Sequence, residues 1–141
     1  GPCYQTSRTY NLEATSYVQA GNEMYAVMNN LIFRQSGNLP FQQLHHDKAV
    51  DTIAVDDGHL YALFLNGRIY RQPLASLATK PLLSSAWETC SDANSCMKQM
   101  AIVRGIIFGV DCDDGKIYEQ HLTEISATTS WKLSKRDIHF Y

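Results

Sequence analysis

The chain has 141 residues, 45% of them hydrophobic, and a net charge of −2 at pH 7. This length suits one domain with its own core, and the apolar content is that of a globular protein. The small negative charge and scattered basic residues exclude bulk attraction to nucleic acid, and no apolar run approaches the ~20 residues of a membrane helix.

The segments that follow one another along the chain are short and β-like. Gly1-Pro2 resembles the remnant of a cleaved expression tag, so we take 3–141 as the domain. From residue 16 onward, β-branched and aromatic runs alternate with Gly, Asn and Asp. Residues 74–78, between Pro73 and Pro81, form at most one helical turn. The composition of these runs predicts an all-β protein.

Four short predicted strands recur as a unit, and the second and third strands carry the clearest repetition. The second-strand phrases are Met24-Tyr25-Ala26-Val27, Leu60-Tyr61-Ala62-Leu63 and Ile107-Phe108-Gly109-Val110. The third-strand phrases are Ile32-Phe33-Arg34-Gln35, Ile69-Tyr70-Arg71-Gln72 and Ile117-Tyr118-Glu119-Gln120. Repeats of four strands at about 16–47, 51–89 and 98–133 predict the blades of a β-propeller.

The turns between the second and third strands support antiparallel hairpins. Asn66-Gly67 and Asp114-Gly115 stand at this place in the second and third repeats. Both dipeptides favour two-residue turns of type I′, in which both central residues have positive φ.

Three repeats do not close a ring, because about four blades is the usual minimum. Residues 134–141 align with the start of the second repeat, and residues 3–12 have the pattern of the last two strands of a blade. We therefore expect a four-bladed propeller with a composite blade of 134–141 plus 3–12. A homodimer that completes a larger ring, and a piece of a longer repeat protein, are the alternatives.

The four cysteines allow three disulfide pairings. Cys90 and Cys96 stand at the ends of a short polar loop, a natural spacing for a local disulfide, which leaves Cys3 to pair with Cys112. The even count and this loop favour an oxidising environment, so we expect a secreted or extracellular protein. A zinc site is not expected, because the chain has no C-x₂-C pair.

The repeat resembles the tachylectin-2 and tectonin repeats of lectin β-propellers. The resemblance rests on Gly58-His59-Leu60-Tyr61-Ala62-Leu63 with Gly67-Arg68-Ile69-Tyr70-Arg71, and on Gly105-Ile106-Ile107-Phe108-Gly109-Val110 with Gly115-Lys116-Ile117-Tyr118-Glu119. It covers about residues 16–141 and implies one sugar site per blade, built from polar groups and an aromatic ring. The chain departs from the family pattern in its unequal repeats and in lacking tryptophan-rich linkers.

Two tryptophans are the aromatic candidates for sugar binding. Trp87 and Trp131 occupy equivalent places at the last strand of the second and third repeats, beside Glu88 and Lys132. An exposed indole would stack on the apolar face of a sugar while the charged neighbours bind hydroxyl groups. The alternative is that both rings pack between adjacent blades.

Gln35, Gln72 and Gln120 end the three third-strand phrases. A glutamine side chain both donates and accepts hydrogen bonds, which suits a sugar hydroxyl or a peptide group. The alternative, a repeated structural hydrogen bond to a neighbouring strand, is favoured by the recurrence itself.

The other polar clusters are best explained as loops and turns. His45-His46-Asp47 would place its histidines on opposite faces of a strand, and 111–115 lacks the distal Glu of a calcium loop. We therefore expect no metal and no cofactor. The chain has no G-x-S-x-G or H-E-x-x-H motif and no phosphate-binding glycine loop, so an enzyme is not expected either.

Together these features predict a secreted, non-enzymatic recognition module that binds glycans through loops and outer strands. The alternative is a protein-binding ectodomain, such as a receptor, adhesion or host-interaction module, without sugar binding. Equivalent sites in each blade would favour the lectin, whereas variable loops such as residues 75–96 fit a single protein interface.

Overall fold

The computed structural model describes residues 13–44, 48–79, 87–92 and 94–140. Blade 1 contains β1 (Ala14–Ala20), β2 (Glu23–Met28), β3 (Leu31–Ser36) and β4 (Gln42–Gln43). Blade 2 contains β5 (Val50–Asp56), β6 (His59–Phe64), β7 (Ile69–Pro73), α1 (Leu74–Thr79) and β8 (Glu88–Thr89). Blade 3 contains β9 (Met97–Val103), β10 (Ile106–Asp111), β11 (Ile117–His121) and β12 (Lys132–Leu133).

Each blade is a separate antiparallel sheet in which strands pair only with their neighbours along the chain. The predicted four-stranded meanders are therefore confirmed. The helical segment expected after Pro73 is present as α1, but its six residues exceed the single turn that was predicted. Within the described residues, no helix is long and apolar enough to cross a membrane.

The repeated aromatic residue of the second strand lies in the core. Tyr25, Tyr61 and Phe108 are each at most 2% exposed. Because side chains alternate between the two faces of a strand, each blade offers one face to the preceding blade and one to the next. One apolar core joins blades 1 and 2 around Tyr25, and a second joins blades 2 and 3 around Tyr61.

The first strands of successive blades lie beside one another, β1 next to β5 and β5 next to β9. A hydroxyl group links the first pair, since the backbone N–H of Ile53 donates to Ser16 Oγ at 3.1 Å. These strands therefore form the inner side of the three-blade array, as the first strands of propeller blades do.

The type I′ prediction is wrong for Asn66-Gly67 and Asp114-Gly115. Only the glycines have positive φ there, 83° for Gly67 and 70° for Gly115. The N–H of Gly67 donates to the Phe64 carbonyl, and that of Phe64 to the Arg68 carbonyl, so the first loop has three residues with glycine in the left-handed position. The dipeptide marked the turn correctly, but the loop length decided its type.

Turns with two consecutive positive φ values occur elsewhere among the described residues. They are Asn29-Asn30, Asp57-Gly58 and Arg104-Gly105. Two of these connect the first and second strands of a blade, and the third connects β2 and β3.

The predicted disulfide pairing is also wrong. Cys96 bonds to Cys112, with the two Cα atoms 5.4 Å apart, whereas Cys90 is a buried free thiol. Cys96 precedes β9 and Cys112 follows β10, so antiparallel pairing of these strands brings the two cysteines together. The Cys112 N–H donates to the Cys96 carbonyl at 3.0 Å. Cys3 lies outside the described residues.

The described residues do not close the ring. Residues 134–140 contain no strand, and residues 3–12 of the expected composite blade lie outside the described residues. The segment after β12 nevertheless contacts blade 3, where Ser134 Oγ donates to Glu119 at 2.7 Å and Arg136 pairs with the same carboxylate at 3.1 Å. These hydrogen bonds lower the pKa of Glu119.

Candidate functional site

The two predicted sugar-stacking rings are used in packing. Trp131 is 9% exposed, and its indole N–H donates to the Cys90 carbonyl at 3.1 Å. Trp87 is half-buried, meets the Phe64 ring edge-on at 5.2 Å and packs against the core between blades 1 and 2. These contacts are those of the packing alternative. Each ring also borders a cavity, Trp87 beside Tyr70 and Trp131 beside Tyr118, so sugar stacking stays a prediction.

The charged neighbours of these rings lie in different blades. Glu88 pairs with Arg71 across β7 and β8 at 3.0 Å, and Arg71 also donates to the Tyr61 hydroxyl at 3.2 Å. Burial raises the pKa of Tyr61. Lys132 lies exposed on β12 of the next blade. Each charged residue therefore stays beside its own ring, Glu88 in blade 2 and Lys132 in blade 3.

Two of the recurring glutamines are buried and bonded to neighbouring side chains. Gln72 and Gln120 are 1% and 4% exposed, while Gln35 is half-buried. Gln72 accepts a hydrogen bond from Ser76 Oγ at 3.2 Å, and Gln120 donates to Glu124 at 3.5 Å. Two of the three side chains are thus turned away from solvent.

Of the polar clusters weighed as metal sites, residues 111–115 lie among the described residues. Among the described residues, no group of three or more His, Cys, Asp or Glu side chains is placed to hold a metal ion. His45-His46-Asp47 lies outside the described residues.

An open cleft lies on the inner side of the three blades. Its volume is about 570 Å³, and it is lined by residues 15–17 of β1, 51–52 of β5 and 98–100 of β9, with Phe140. The lining includes hydroxyl, amide, carboxylate, ammonium and aromatic groups, so it offers many kinds of contact to one ligand.

A β-bulge occurs at the same place in each of the three described blades, at the edge of the cleft. The register shifts between Ala14 and Ser16, between Val50 and Thr52, and between the partners of Met97 and Gln99. The extra residues are Thr15, Asp51 and Lys98, and each of them lines the cleft. Bulges commonly redirect a side chain beside a functional site. Here they direct three chemically different side chains into the same space.

A second cavity adjoins the cleft between blades 2 and 3. It has a volume of about 240 Å³, and its lining includes both Asp51 and Lys98. The other walls come from the end of β6, the β6–β7 turn and the Cys96–Cys112 disulfide. We call it the side pocket. The bulged residues of blades 2 and 3 therefore stand where the side pocket meets the inner cleft.

Sequence reasoning missed this site, although a signal for it was present. Thr15, Asp51 and Lys98 each stand two residues before the aligned positions Tyr17, Ile53 and Met100. The position is polar in all three repeats but differs in charge. A comparison of shared residues does not reveal this position, because the three repeats differ there. Shared residues in a repeat mostly serve packing and turns.

Comparison with known proteins shows the fold and no family. No protein-family profile matches the sequence, and no curated protein is significantly similar to it. A structure described as YCF48 bound to D1 peptide has a TM-score of 0.56 at 17% identity, over 86% of this chain and 38% of that one. The computationally designed Ika8 protein has a TM-score of 0.53 at 15% identity, over 77% of this chain and 33% of that one.

A third neighbour, the N-terminal domain of Nup159, has a TM-score of 0.50 at 12% identity, over 84% of this chain and 30% of that one. The chain thus spans between 30% and 38% of the length of these three structures. All three have β-propeller-type folds. The fold of the described residues is therefore a set of three β-propeller blades.

Proposed function

We propose that this protein is a recognition module that binds an extended segment of a protein partner in its inner cleft. The observation that carries the proposal is the repeated bulge. It brings Thr15, Asp51 and Lys98 together in one open space, while the shared aromatic and glutamine residues are mostly occupied in packing.

The edges of the inner strands favour a peptide ligand. Within the described residues, β1, β5 and β9 each pair with only one strand of their own sheet. Residues of all three strands line the cleft, where backbone groups that lack a partner can pair with an extended chain. At Ile53 the N–H and the carbonyl are already bonded to the Ser16 hydroxyl. The three unlike side chains would then distinguish one sequence from another.

The burial of three of the predicted sugar-binding groups favours a protein partner over a glycan. A lectin of repeated sites needs an accessible ring and equivalent polar groups in each blade. Trp131, Gln72 and Gln120 are buried instead. One similar propeller is described as bound to a peptide. That likeness supports the proposal only by analogy of fold.

The disulfide supports an oxidising, extracellular location for this recognition. We also propose that residues 134–141 and 3–12 complete a fourth blade within the same chain. The mass in solution tests this part, because a closed ring predicts a monomer and a shared ring predicts a dimer.

The binding proposal is tested by screening the full chain against a phage-displayed random peptide library and a glycan array. The blocking variant Thr15→Arg/Gln99→Arg fills the cleft from two exposed positions. Lys135→Glu is the control, since Lys135 is exposed and does not line the cleft. Circular dichroism verifies that both variants fold.

Peptides that bind the wild type and the Lys135→Glu variant but not the blocking variant are the expected result. Binding to glycans without any selected peptide would support the lectin alternative and reject the proposal. Selected peptides that bind the blocking variant equally well would also reject it.

A further inference from the structure

The side pocket has mainly apolar walls. The apolar lining comes from Leu63, Phe64, Leu65, Met97 and the Cys96–Cys112 disulfide. Leu65 is 59% exposed, so its side chain leaves apolar surface accessible at this pocket. Concave sites lined mainly by apolar groups, with a few polar groups at the edge, are the usual form of a ligand pocket.

The wall of this pocket is held rigidly. The Met97 N–H donates to the Gly67 carbonyl at 2.7 Å, which ties the β6–β7 turn to the start of β9. Gly67 lies so close to the disulfide that a Cβ atom there would be 2.6 Å from Cys96 Sγ. A preformed wall reduces the ordering cost of binding, so even one inserted side chain can contribute strongly.

Two charged groups border the pocket on the side of the inner cleft. The Asp51 carboxylate accepts a hydrogen bond from the Thr52 hydroxyl at 2.7 Å. Lys98 is exposed, and within the described part of the chain its ammonium makes no hydrogen bond or ion pair. An ammonium without a partner at the rim of an apolar pocket attracts a carboxylate of the ligand.

We infer that the cleft selects segments with a leucine, methionine or phenylalanine side chain next to an Asp or Glu. The apolar side chain enters the side pocket, and the acidic group pairs with Lys98. The Asp51 carboxylate repels the acidic side chain of the segment. It accepts a hydrogen bond from a donor, such as a backbone N–H of the segment. This inference rests on the proposed function and specifies the partner of the same site.

The sequences of the selected peptides test this inference. Peptides selected on the wild type are expected to share an apolar residue within two positions of Asp or Glu. Selection on Lys98→Glu is expected to replace the acid with Lys or Arg, whereas selection on Lys135→Glu leaves the pattern unchanged. Changing the apolar residue of a selected synthetic peptide to serine is expected to weaken binding about tenfold or more.

The outcomes separate the two proposals. Peptides that require an open cleft but show no apolar–acidic pattern would overturn the inference and leave the recognition function intact. The same pattern on the wild type and on Lys98→Glu would exclude the role of Lys98. The absence of any selected peptide would overturn both proposals.

Discussion

Thr15, Asp51 and Lys98 show how a repeated scaffold carries one specific site. The three residues share a backbone position, the bulge of the first strand, but differ in charge and hydrogen-bonding capacity. Repetition therefore fixes where the side chains point, and sequence divergence fixes what they present. The residues predicted to bind glycans are instead mostly residues that the repeats share.

Glycine is required at position 67 for a reason that its structural equivalent, Gly115, does not share. Both have positive φ, but only at Gly67 would a Cβ atom meet the disulfide, 2.6 Å from Cys96 Sγ. Gly115→Ala is expected to cost only the strain of the left-handed conformation, ~1 kcal/mol. Gly67→Ala should lose a further ~1–3 kcal/mol, because the wall beside it is overpacked.

Urea denaturation of the two alanine variants measures this difference. Equal losses of unfolding free energy would show that the wall yields to the added methyl group.

The Cys90 thiol makes the free energy of unfolding fall at alkaline pH. Burial raises the pKa of its thiol from 9.0 to about 12. The unfolded chain releases this proton near pH 9, whereas the folded chain keeps it. The stabilisation of the folded state by the neutral Cys90 thiol is therefore fully present below pH 9. It is lost as the pH rises toward 12, and the free energy of unfolding falls by roughly 1 kcal/mol between pH 9 and 10.

Denaturation at pH 9 and pH 10 tests this prediction with Cys90→Ala as the control. The wild type should lose more unfolding free energy than the variant over this interval. Burial also raises the pKa of Tyr25 and Tyr61, but both tyrosines are present in the two proteins and their effects cancel in the comparison. Parallel losses would show that the Cys90 thiol titrates normally.

At the scale of the elements, the contacts between blades decide the role of the tryptophans. Trp131 and Trp87 precede equivalent outer strands but have different polar surroundings. The Trp131 indole donates to the Cys90 carbonyl across the blade contact. The buried Nε1 of Trp87 has no hydrogen-bond partner within the described residues.

Replacing each ring by phenylalanine separates the hydrogen bond from the packing. Trp131→Phe leaves the Cys90 carbonyl without its donor, whereas Trp87→Phe removes a buried donor that lacks an acceptor. We therefore expect Trp131→Phe to lose about 1–2 kcal/mol more than Trp87→Phe in thermal or urea unfolding. Equal losses would assign both effects to packing alone.

At the scale of the whole molecule, one disulfide braces the third blade and the wall of the side pocket. It closes a loop with a sequence separation of 16, which corresponds to roughly 3 kcal/mol in the chain-entropy description. Cys96→Ser/Cys112→Ser is expected to lose about that amount while keeping its β-sheet circular dichroism. Peptide mapping without reduction should recover Cys96 linked to Cys112, and a Cys90–Cys96 peptide would contradict this pairing.

The sequence by itself determined the repeat, the four-stranded meanders, the place of the short helix and the positions of the turns. These features are local, because strands follow from alternating and β-branched residues, and turns from Gly, Asn and Asp. The type of the Asn66-Gly67 turn was less predictable, since it depends on how the two strands pair beyond the dipeptide.

Only the tertiary structure decided which cysteines join, which rings are buried and where the bulged residues point. Cys96 meets Cys112 because β9 and β10 pair, although Cys90 is nearer along the chain. Trp131 is buried because blade 3 packs against blade 2. Thr15, Asp51 and Lys98 form one cleft because three inner strands come together. The burial of Trp131 and the formation of the cleft depend on contacts between blades, which lie far apart in sequence, and a local pattern does not encode those contacts. The Cys96–Cys112 bond depends on the register of the β9–β10 hairpin, which the spacing of the cysteines does not give.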